Sequence, residues 1–196
     1  MTKQILGITG GIASGKSLAC EYLKTLGWEV IDTDQIARDF VAPGSPLLNE
    51  IARHFGSDIL KSNQSLDRQA LRQLIFENPK ERLWLEALMH PAIRTEIANQ
   101  IAASQSERII VAIPLLKKRE DYPMLQKILM IDTPEDLEIK RVVARDGISE
   151  ELARTMIAAQ PSRKERLTLA DYVIVNEGSK EQLFKKMFDL YSLSFA

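Results

Sequence analysis

The sequence predicts an α/β fold built around a parallel sheet. Five short apolar runs are continuous rather than alternating, which is typical of strands buried on both faces of a sheet. They are QILGIT (4–9), EVID (29–32), RIIVAI (108–113), KILMID (127–132) and DYVIV (171–175). Helix-like segments separate them, and strands that alternate with helices favour a three-layer arrangement. A glycine-rich loop after the first run is the third observation behind this prediction.

The helical segments are predicted in chain order at 16–26, 134–145, 150–159 and 179–193, with several more between 36 and 103. About 75 residues separate the second and third strands, which is more than one crossover helix uses. We therefore predict a helical insertion at 34–103. A second insertion, 141–169, carries six basic and four acidic residues. The chain is predicted to form one domain, 1–196, with its core at 1–33, 104–140 and 170–196.

Composition limits the classes of function. Among 196 residues, 26 are Lys or Arg and 27 are Asp or Glu, so the net charge is -1. This balance argues against a general nucleic-acid-binding protein. The single cysteine, Cys20, excludes an internal disulfide and suits a reducing compartment. No apolar run approaches the roughly 18–20 residues of a membrane span. We expect a soluble cytoplasmic protein without a membrane partner.

The glycine-rich loop GGIASGKS fits the phosphate-binding pattern G-x-x-x-x-G-K-[ST]. Its glycines allow backbone N–H groups to converge on phosphate oxygens, and the following helix adds its positive dipole end. Lys16 is expected to reach the β- and γ-phosphates, and the Ser17 hydroxyl to ligate Mg²⁺. The alternative is a glycine-rich turn with a solvated lysine. The predicted ATP-binding loop residues are Gly10, Gly11, Ile12, Ala13, Ser14, Gly15, Lys16, Ser17 and Leu18.

Two aspartates follow the second strand at its carboxyl end, where ligands bind in open α/β sheets. Asp32 ends the strand and Asp34 lies two residues further on. Phosphorylation of a hydroxyl needs one carboxylate to take the proton, and Mg²⁺ needs oxygen ligands. The alternative for Asp34 is the N-cap of a helix that begins near Gln35. The third strand ends at Pro114 without an acidic residue and no N-K-x-D sequence is present, which favours a small-molecule kinase over a GTPase.

The chain resembles the dephospho-coenzyme A kinase family nearly from end to end. The matching segments are TGGIASGKS, VIDTDQIAR, PG (43–44), HFGSDIL, LDRQALRQLIF, HPAIR, IPLL, KRVVARDGIS, AAQPSRKER and NEGS. The phosphate loop is common to many families, whereas D-x-D-x-x-A followed by LDR, HP and PLL is much more specific. The resemblance implies a P-loop NTPase fold with a five-stranded parallel sheet, a helical acceptor-binding insertion and a lid at 141–169.

The resemblance also implies a reaction, in which ATP phosphorylates the ribose 3′-hydroxyl of dephospho-coenzyme A to give coenzyme A and ADP. Asp34 would be the base, with Lys16 and Arg141 as further catalytic residues, and Asp32 would join Ser17 at the metal. The implied partners are ATP with Mg²⁺ and dephospho-coenzyme A. The protein is expected to be a monomer, with a weak oligomer as the alternative. The segments implied to line the acceptor site contain Thr9, Asp34, Arg68, His90, Pro91, Leu115 and Leu116.

The basic insertion supplies candidate ATP ligands, since guanidinium groups stabilise a transferring phosphoryl group. Arg141 and Arg145 lie four residues apart on one helix face, and Arg163 and Arg166 follow. Arg141 and Arg166 are the first choices. The alternative is that these arginines pair with Asp146, Glu150 or Glu165. Asn176, after the last strand, is a candidate for the adenine side, or it satisfies its own backbone.

Several of the acceptor-site candidates also fit purely structural roles. Arg68 fits a solvated helix charge, His90–Pro91 a helix end, and Leu115–Leu116 the core. The runner-up functions are another small-molecule kinase and a nucleotide-dependent switch module. The sequence departs from the family pattern at Lys117 and Lys118, where an apolar residue and Glu are common, and at Ala13, Thr33 and Val175, where Gly, Ala and Asp are common.

Overall fold

The computed structural model describes residues 3–194, in which strands and helices alternate. The strands are β1 Gln4–Gly10, β2 Glu29–Asp32, β3 Arg108–Ala112, β4 Lys127–Asp132 and β5 Tyr172–Val175. The helices are α1 Lys16–Thr25, α2 Thr33–Asp39, α3 Pro46–Phe55, α4 Arg68–Glu77, α5 Pro79–Ala103, α6 Glu135–Asp146, α7 Glu150–Ala158, α8 Arg163–Thr168 and α9 Lys180–Ser194. Short 3₁₀ turns lie at Ser57–Ile59 and Arg119–Asp121.

The five strands form one parallel sheet in the order β2-β3-β1-β4-β5. The central strand β1 pairs Ile8 with Ala112 on one side and with Leu129 on the other. Ile8 and Leu129 are fully buried, as expected for strands covered on both faces. The predicted fold class, a five-stranded parallel α/β sheet, is confirmed. All five strands therefore present their carboxyl ends at one edge, and this edge positions the candidate site.

The described chain divides into two compact units. The first unit contains the residues up to Asp32 and those from Ala103 onward, and therefore holds the whole sheet. The second unit, Thr33–Ala102, is helical and has its own buried cluster, which includes Leu48, Ile51 and Ile59. A separate core explains why this long insertion holds its own structure.

Local sequence explains where the helices of the second unit begin. The Ser45 hydroxyl accepts from Leu48 N at the start of α3, and Pro46 occupies the first turn. Asp67 Oδ1 accepts from Gln69 N and Ala70 N, at 3.0 and 3.1 Å, and so caps α4. Helix α5 continues through Pro91, so the alternative that His90–Pro91 ends a helix is wrong.

Several element boundaries differ from the prediction by a residue or two, and two of these differences concern named acidic residues. Helix α2 begins at Thr33, so Asp34 lies within its first turn and the interpretation of Asp34 as an N-cap is wrong. Strand β5 begins at Tyr172 rather than at Asp171. The Asp171 carboxylate accepts hydrogen bonds from Ile128 N at 2.8 Å and from Arg119 Nη1 at 2.8 Å. Asp171 therefore links the start of β4 to the Arg119 side chain at the surface.

No helix within 3–194 is long and apolar enough to cross a membrane.

Cys20 lies in the core of the first unit, on α1, with only 6% of its surface exposed. Burial raises the pKa of its thiol to about 11; the charge of Lys16 lowers this pKa and that of Asp32 raises it. The folded thiol therefore holds its proton at pH 8, where roughly one thousandth is thiolate. We expect the Cys20 thiol to react hardly at all with an aromatic disulfide reagent at pH 8, and to react completely in guanidinium chloride. Rapid stoichiometric labelling of the native protein at pH 8 would contradict the buried position of Cys20.

The same shift makes folding sensitive to high pH. Because the folded thiol binds its proton more tightly than the unfolded thiol, its contribution to stability is present below the ordinary thiol pKa and is lost as the pH rises towards 11.

Candidate active site

The phosphate loop connects β1 to α1 and has a strongly bent backbone. Gly15 adopts a left-handed conformation with φ 97°, directly before the first helical residue, Lys16. Ala13 also has a positive φ, 55°, although an L-residue with a Cβ pays a cost there of roughly 1–2 kcal/mol. Ala13 is one of the departures from the family pattern, and its positive φ explains why glycine is common at that position.

The back of the loop is held by residues that follow β4 and β5. Asn176 is buried, and its Nδ2 donates to the Ser14 carbonyl oxygen at 2.7 Å. A Cβ atom at Gly15 would collide with this amide, so glycine is required there for space as well as for its φ. The buried Thr133 hydroxyl lies 3.3 Å from Ser14 O and 3.1 Å from Asn176 O. The Asn176 amide, a candidate for the adenine side from sequence, is thus engaged on the loop backbone.

Arg141 lies beside the loop. Its Nη1 is 3.5 Å from the Ala13 carbonyl oxygen and 3.4 Å from Thr133 Oγ1, and its Nη2 is 3.5 Å from Gly178 O. These long contacts leave the half-buried guanidinium next to the loop without a carboxylate partner in the described part of the chain. Arg145, one turn further along α6, instead forms a bidentate pair with Asp146 at the surface. Of these two predicted arginines, Arg141 is the one placed beside the loop.

Arg166 lies in a buried polar network that packs against the loop. Arg166 is 5% exposed and Glu138 is 1% exposed, and their closest N–O distance is 3.3 Å. Gln160 Oε1 accepts from Arg166 Nη1 at 3.2 Å and from the Ile12 backbone N–H at 3.3 Å. Burial raises the pKa of Glu138, although the Arg166 charge opposes this. A side chain at Gly11 would collide with the Glu138 carboxylate, so the network directly supports the loop.

Arg163 is tied to a carboxylate at the end of β4. Its Nε lies 2.9 Å from Asp132 Oδ1, and Asp132 is only 3% exposed. Hydrogen bonding to Asp132 raises the pKa of Arg163, and the Asp132 charge acts in the same direction. Asp132, Glu138 and Gln160 were not predicted from the sequence. The signal for Asp132 was available, because KILMID ends a strand in Asp as EVID does.

The predicted metal ligands lie in the first unit. Asp32 is exposed at the carboxyl end of β2, and Ser17 is exposed in the first turn of α1. A hydroxyl and a carboxylate suit Mg²⁺, which uses one or two protein oxygens and takes its remaining ligands from water and phosphate. No group of three or more potential metal-binding His, Cys, Asp or Glu side chains occurs among the described residues.

The predicted acceptor residues are divided between the two units. Thr9 and Leu116 are buried in the first unit and Leu115 is half-buried, so Leu116 has the character of a core residue. Asp34 is half-buried in the first turn of α2, in the second unit. Arg68 begins α4 and lines a cavity of about 760 Å³ within that unit. His90 and Pro91 are exposed on α5.

A phosphate loop after the central strand of a five-stranded parallel sheet, with Lys16 and Ser17 at the start of the next helix and Arg141 beside the loop, defines a P-loop kinase. The family model for dephospho-CoA kinase matches residues 4–182. The chain belongs to the dephospho-CoA kinase family. It is accordingly a transferase that uses ATP to phosphorylate dephospho-CoA in coenzyme A biosynthesis.

Individual relatives agree with this assignment. A dephospho-CoA kinase of Xanthomonas campestris pv. campestris is 48% identical over 186 residues, which cover 93% of this chain and 89% of that protein. One from Legionella pneumophila is 40% identical and covers 95% of this chain and 92% of its own length. Among solved structures, the dephospho-CoA kinase from Campylobacter jejuni has a TM-score of 0.72 at 30% identity, over 97% of this chain and 96% of that chain.

Two further solved structures place the fold. TT1252 from Thermus thermophilus has a TM-score of 0.84 at 29% identity and covers all of both chains. A shikimate kinase from Bacteroides thetaiotaomicron has a TM-score of 0.58 at 15% identity, over 97% of both chains, which is a likeness of fold alone.

Proposed function

We propose that the protein phosphorylates the ribose 3′-hydroxyl of dephospho-CoA and that Asp34 is the base. The observation that carries this proposal is the pair of carboxylates where β2 ends and α2 begins. Asp32 is the last residue of the strand, and Asp34 lies in the first turn of the helix. Only Thr33 separates them, so chain geometry keeps their Cα atoms within about 7.6 Å. One carboxylate is therefore available to the metal and the other to the acceptor hydroxyl.

In the proposed step, the 3′-oxygen attacks the γ-phosphorus of ATP while the hydroxyl proton passes to the Asp34 carboxylate. The new O–P bond forms as the bond between the γ-phosphorus and the β–γ bridging oxygen breaks, and ADP leaves. Lys16 and Arg141 stabilise the negative charge on the transferring group. Support for Arg141 comes from its contacts with Ala13 O and Thr133 Oγ1 at the loop.

Mg²⁺ is part of the proposal, with Ser17 and Asp32 as its protein ligands. When bound, the ion would neutralise charge on the β- and γ-phosphates. The exposed positions of both side chains at the sheet edge support this assignment. Arg166, which the sequence suggested as a direct ATP ligand, is better supported as a residue that holds the loop, because it is buried against Glu138 and Gln160.

Residues 141–169 would act as the lid, with Arg163 on Asp132 as one attachment. The free buried cysteine supports a reducing compartment such as the cytoplasm, and the balanced charge supports the absence of a general nucleic-acid partner.

An acceptor panel tests the function. Purified protein with Mg-ATP is incubated with dephospho-CoA, nucleosides, nucleotides or shikimate, and ADP release is followed by a coupled assay. We expect strong stimulation by dephospho-CoA alone and a product whose phosphorus NMR spectrum matches a ribose 3′-phosphomonoester. Stimulation only by nucleosides would refute the assigned acceptor, and a 2′-phosphorylated product would refute the assigned hydroxyl.

A further inference from the structure

Thr133 carries a buried hydroxyl at the carboxyl edge of the sheet, behind the phosphate loop. It directly follows Asp132, the last residue of β4, and it is 0% exposed. Three chain segments meet at its Oγ1 atom. The carbonyl oxygens of Ser14 and Asn176 lie at 3.3 and 3.1 Å, and Arg141 Nη1 lies at 3.4 Å. The hydroxyl therefore connects the phosphate loop, the end of β5 and helix α6.

The hydrogen-bonding capacity of threonine assigns a direction to these contacts. A threonine hydroxyl has one proton to donate and two lone pairs that accept. Ser14 O already accepts from Asn176 Nδ2 at 2.7 Å, so the proton is better used on Asn176 O, the closer of the two carbonyl oxygens. A guanidinium group has only donors, so Thr133 Oγ1 accepts from Arg141. A hydroxyl that donates to a carbonyl group also becomes a stronger acceptor.

The oxygens around the Arg141 guanidinium are all neutral. Besides Thr133 Oγ1, they are Ala13 O and Gly178 O, each at 3.5 Å. Neutral oxygens orient a guanidinium group without cancelling its charge, whereas a carboxylate such as Asp146 beside Arg145 neutralises its partner. Two of the three oxygens belong to the backbone. Thr133 is therefore the side chain through which a substitution can change the orientation of Arg141 here.

We infer that Thr133 is a positioning residue, which holds the Arg141 guanidinium towards the transferring phosphoryl group. The inference rests on the proposed function, in which Arg141 stabilises the negative charge of that group. A charge that is oriented before the reaction stabilises the transition state without further reorganisation. Contacts of 3.4–3.5 Å are weak hydrogen bonds, so the loss of one of three should leave the guanidinium poorly oriented.

The first test removes the hydroxyl and keeps the shape of the side chain. Thr133→Val is expected to lower kcat about tenfold, the effect of one hydrogen bond to a charged group. The KM for dephospho-CoA should stay within about twofold, because the lost interaction acts in the transition state. Thr133→Ser keeps the hydroxyl and should recover most of kcat. The control is Thr25→Val, which removes an exposed hydroxyl that donates to Tyr22 O at 2.6 Å, and it should match the unmodified protein.

A double-mutant cycle distinguishes positioning of Arg141 from general support of the loop. Arg141→Gln is expected to lower kcat roughly 100-fold. In that background, Thr133→Val should cost less than about twofold, because the guanidinium that it orients is absent. A role of Thr133 in loop structure alone would leave the full tenfold cost in both backgrounds. All kinetics are measured well below the thermal midpoint of every variant, so that the folded fractions are equal.

The outcomes separate the inference from the proposed function. Normal kcat in Thr133→Val, or an undiminished cost in the Arg141→Gln background, overturns the positioning role and leaves the proposed function standing. Nearly normal kcat in Arg141→Gln removes the proposed role of Arg141, and the inference fails with it. If the unmodified protein releases no ADP with dephospho-CoA, the proposed function itself fails.

Discussion

Asp34→Asn is expected to lower turnover by about 100- to 10,000-fold, the usual contribution of a general base. The amide keeps the size and the hydrogen-bonding oxygen of the carboxylate but cannot accept the proton of the 3′-hydroxyl. Asp34 is half-buried in the first turn of α2, and asparagine has nearly the same size and helix propensity as aspartate, so the protein should remain folded. The KM for ATP should change less than about twofold. Steady-state kinetics with dephospho-CoA and Mg-ATP provide the measurement.

Asp39→Asn is the matched control for this variant. It makes the same substitution on the same helix, at an exposed side chain that accepts a hydrogen bond from Gln35 Nε2 at 2.8 Å. We expect nearly normal turnover in this control and similar thermal midpoints for both proteins. Near-normal turnover in Asp34→Asn would remove Asp34 as the base. A large loss in Asp39→Asn as well would point to the helix rather than to one carboxylate.

Lys16→Ala is expected to lower kcat/KM for ATP by about 100- to 1,000-fold, the typical cost of removing one group that stabilises transition-state charge. Lys16 is the first residue of α1, immediately after Gly15, whose φ of 97° turns the chain into the helix. In the unmodified protein, the Lys16 ammonium group is expected to be the compact cation that contacts the β- and γ-phosphates of ATP. The loss should affect every acceptor alike, because the lysine acts on the nucleotide.

The control for the loop is Lys24→Ala, an exposed lysine in the last turn of the same helix. It should leave both kinetic constants nearly unchanged. Calorimetric titration with ADP and Mg²⁺ then separates binding from catalysis in the two variants. Kinetics of Lys16→Ala that equal those of Lys24→Ala would refute the phosphate-loop assignment.

The arginines show how far local sequence patterns can predict this site. Spacing placed Arg141 and Arg145 on one face of α6, and both do lie on that helix. Arg141 contacts the backbone of Ala13, which is 128 residues away in the chain, whereas Arg145 pairs with its immediate neighbour Asp146. No local pattern distinguishes these outcomes. A guanidinium group on a flexible stem takes the partner that tertiary folding brings to it.

The same limit applies to the residues around the loop. The partners of Arg166 and Arg163, Glu138 and Asp132, lie 28 and 31 residues earlier in the chain. The sequence favoured Arg166 as an ATP ligand and gave no sign of its buried partners. The network forms because α6, α7 and α8 fold back towards the loop. The requirement for Gly11, which has no room for a side chain beside Glu138, also became clear only from this packing.

The sequence by itself determined the features that depend on local chemistry. Continuous apolar runs specified five strands, of which β2 and β4 have the predicted bounds, and the glycine pattern specified the phosphate loop. Family-specific segments specified the acceptor. Tertiary structure alone decided the strand order, the separation of a helical unit, the partners of the arginines and the cavity that Arg68 lines in that unit, within residues 3–194. The physical reason is that local patterns fix backbone conformation over a few residues, whereas charge pairing and cavity formation depend on residues that meet only when the chain has folded.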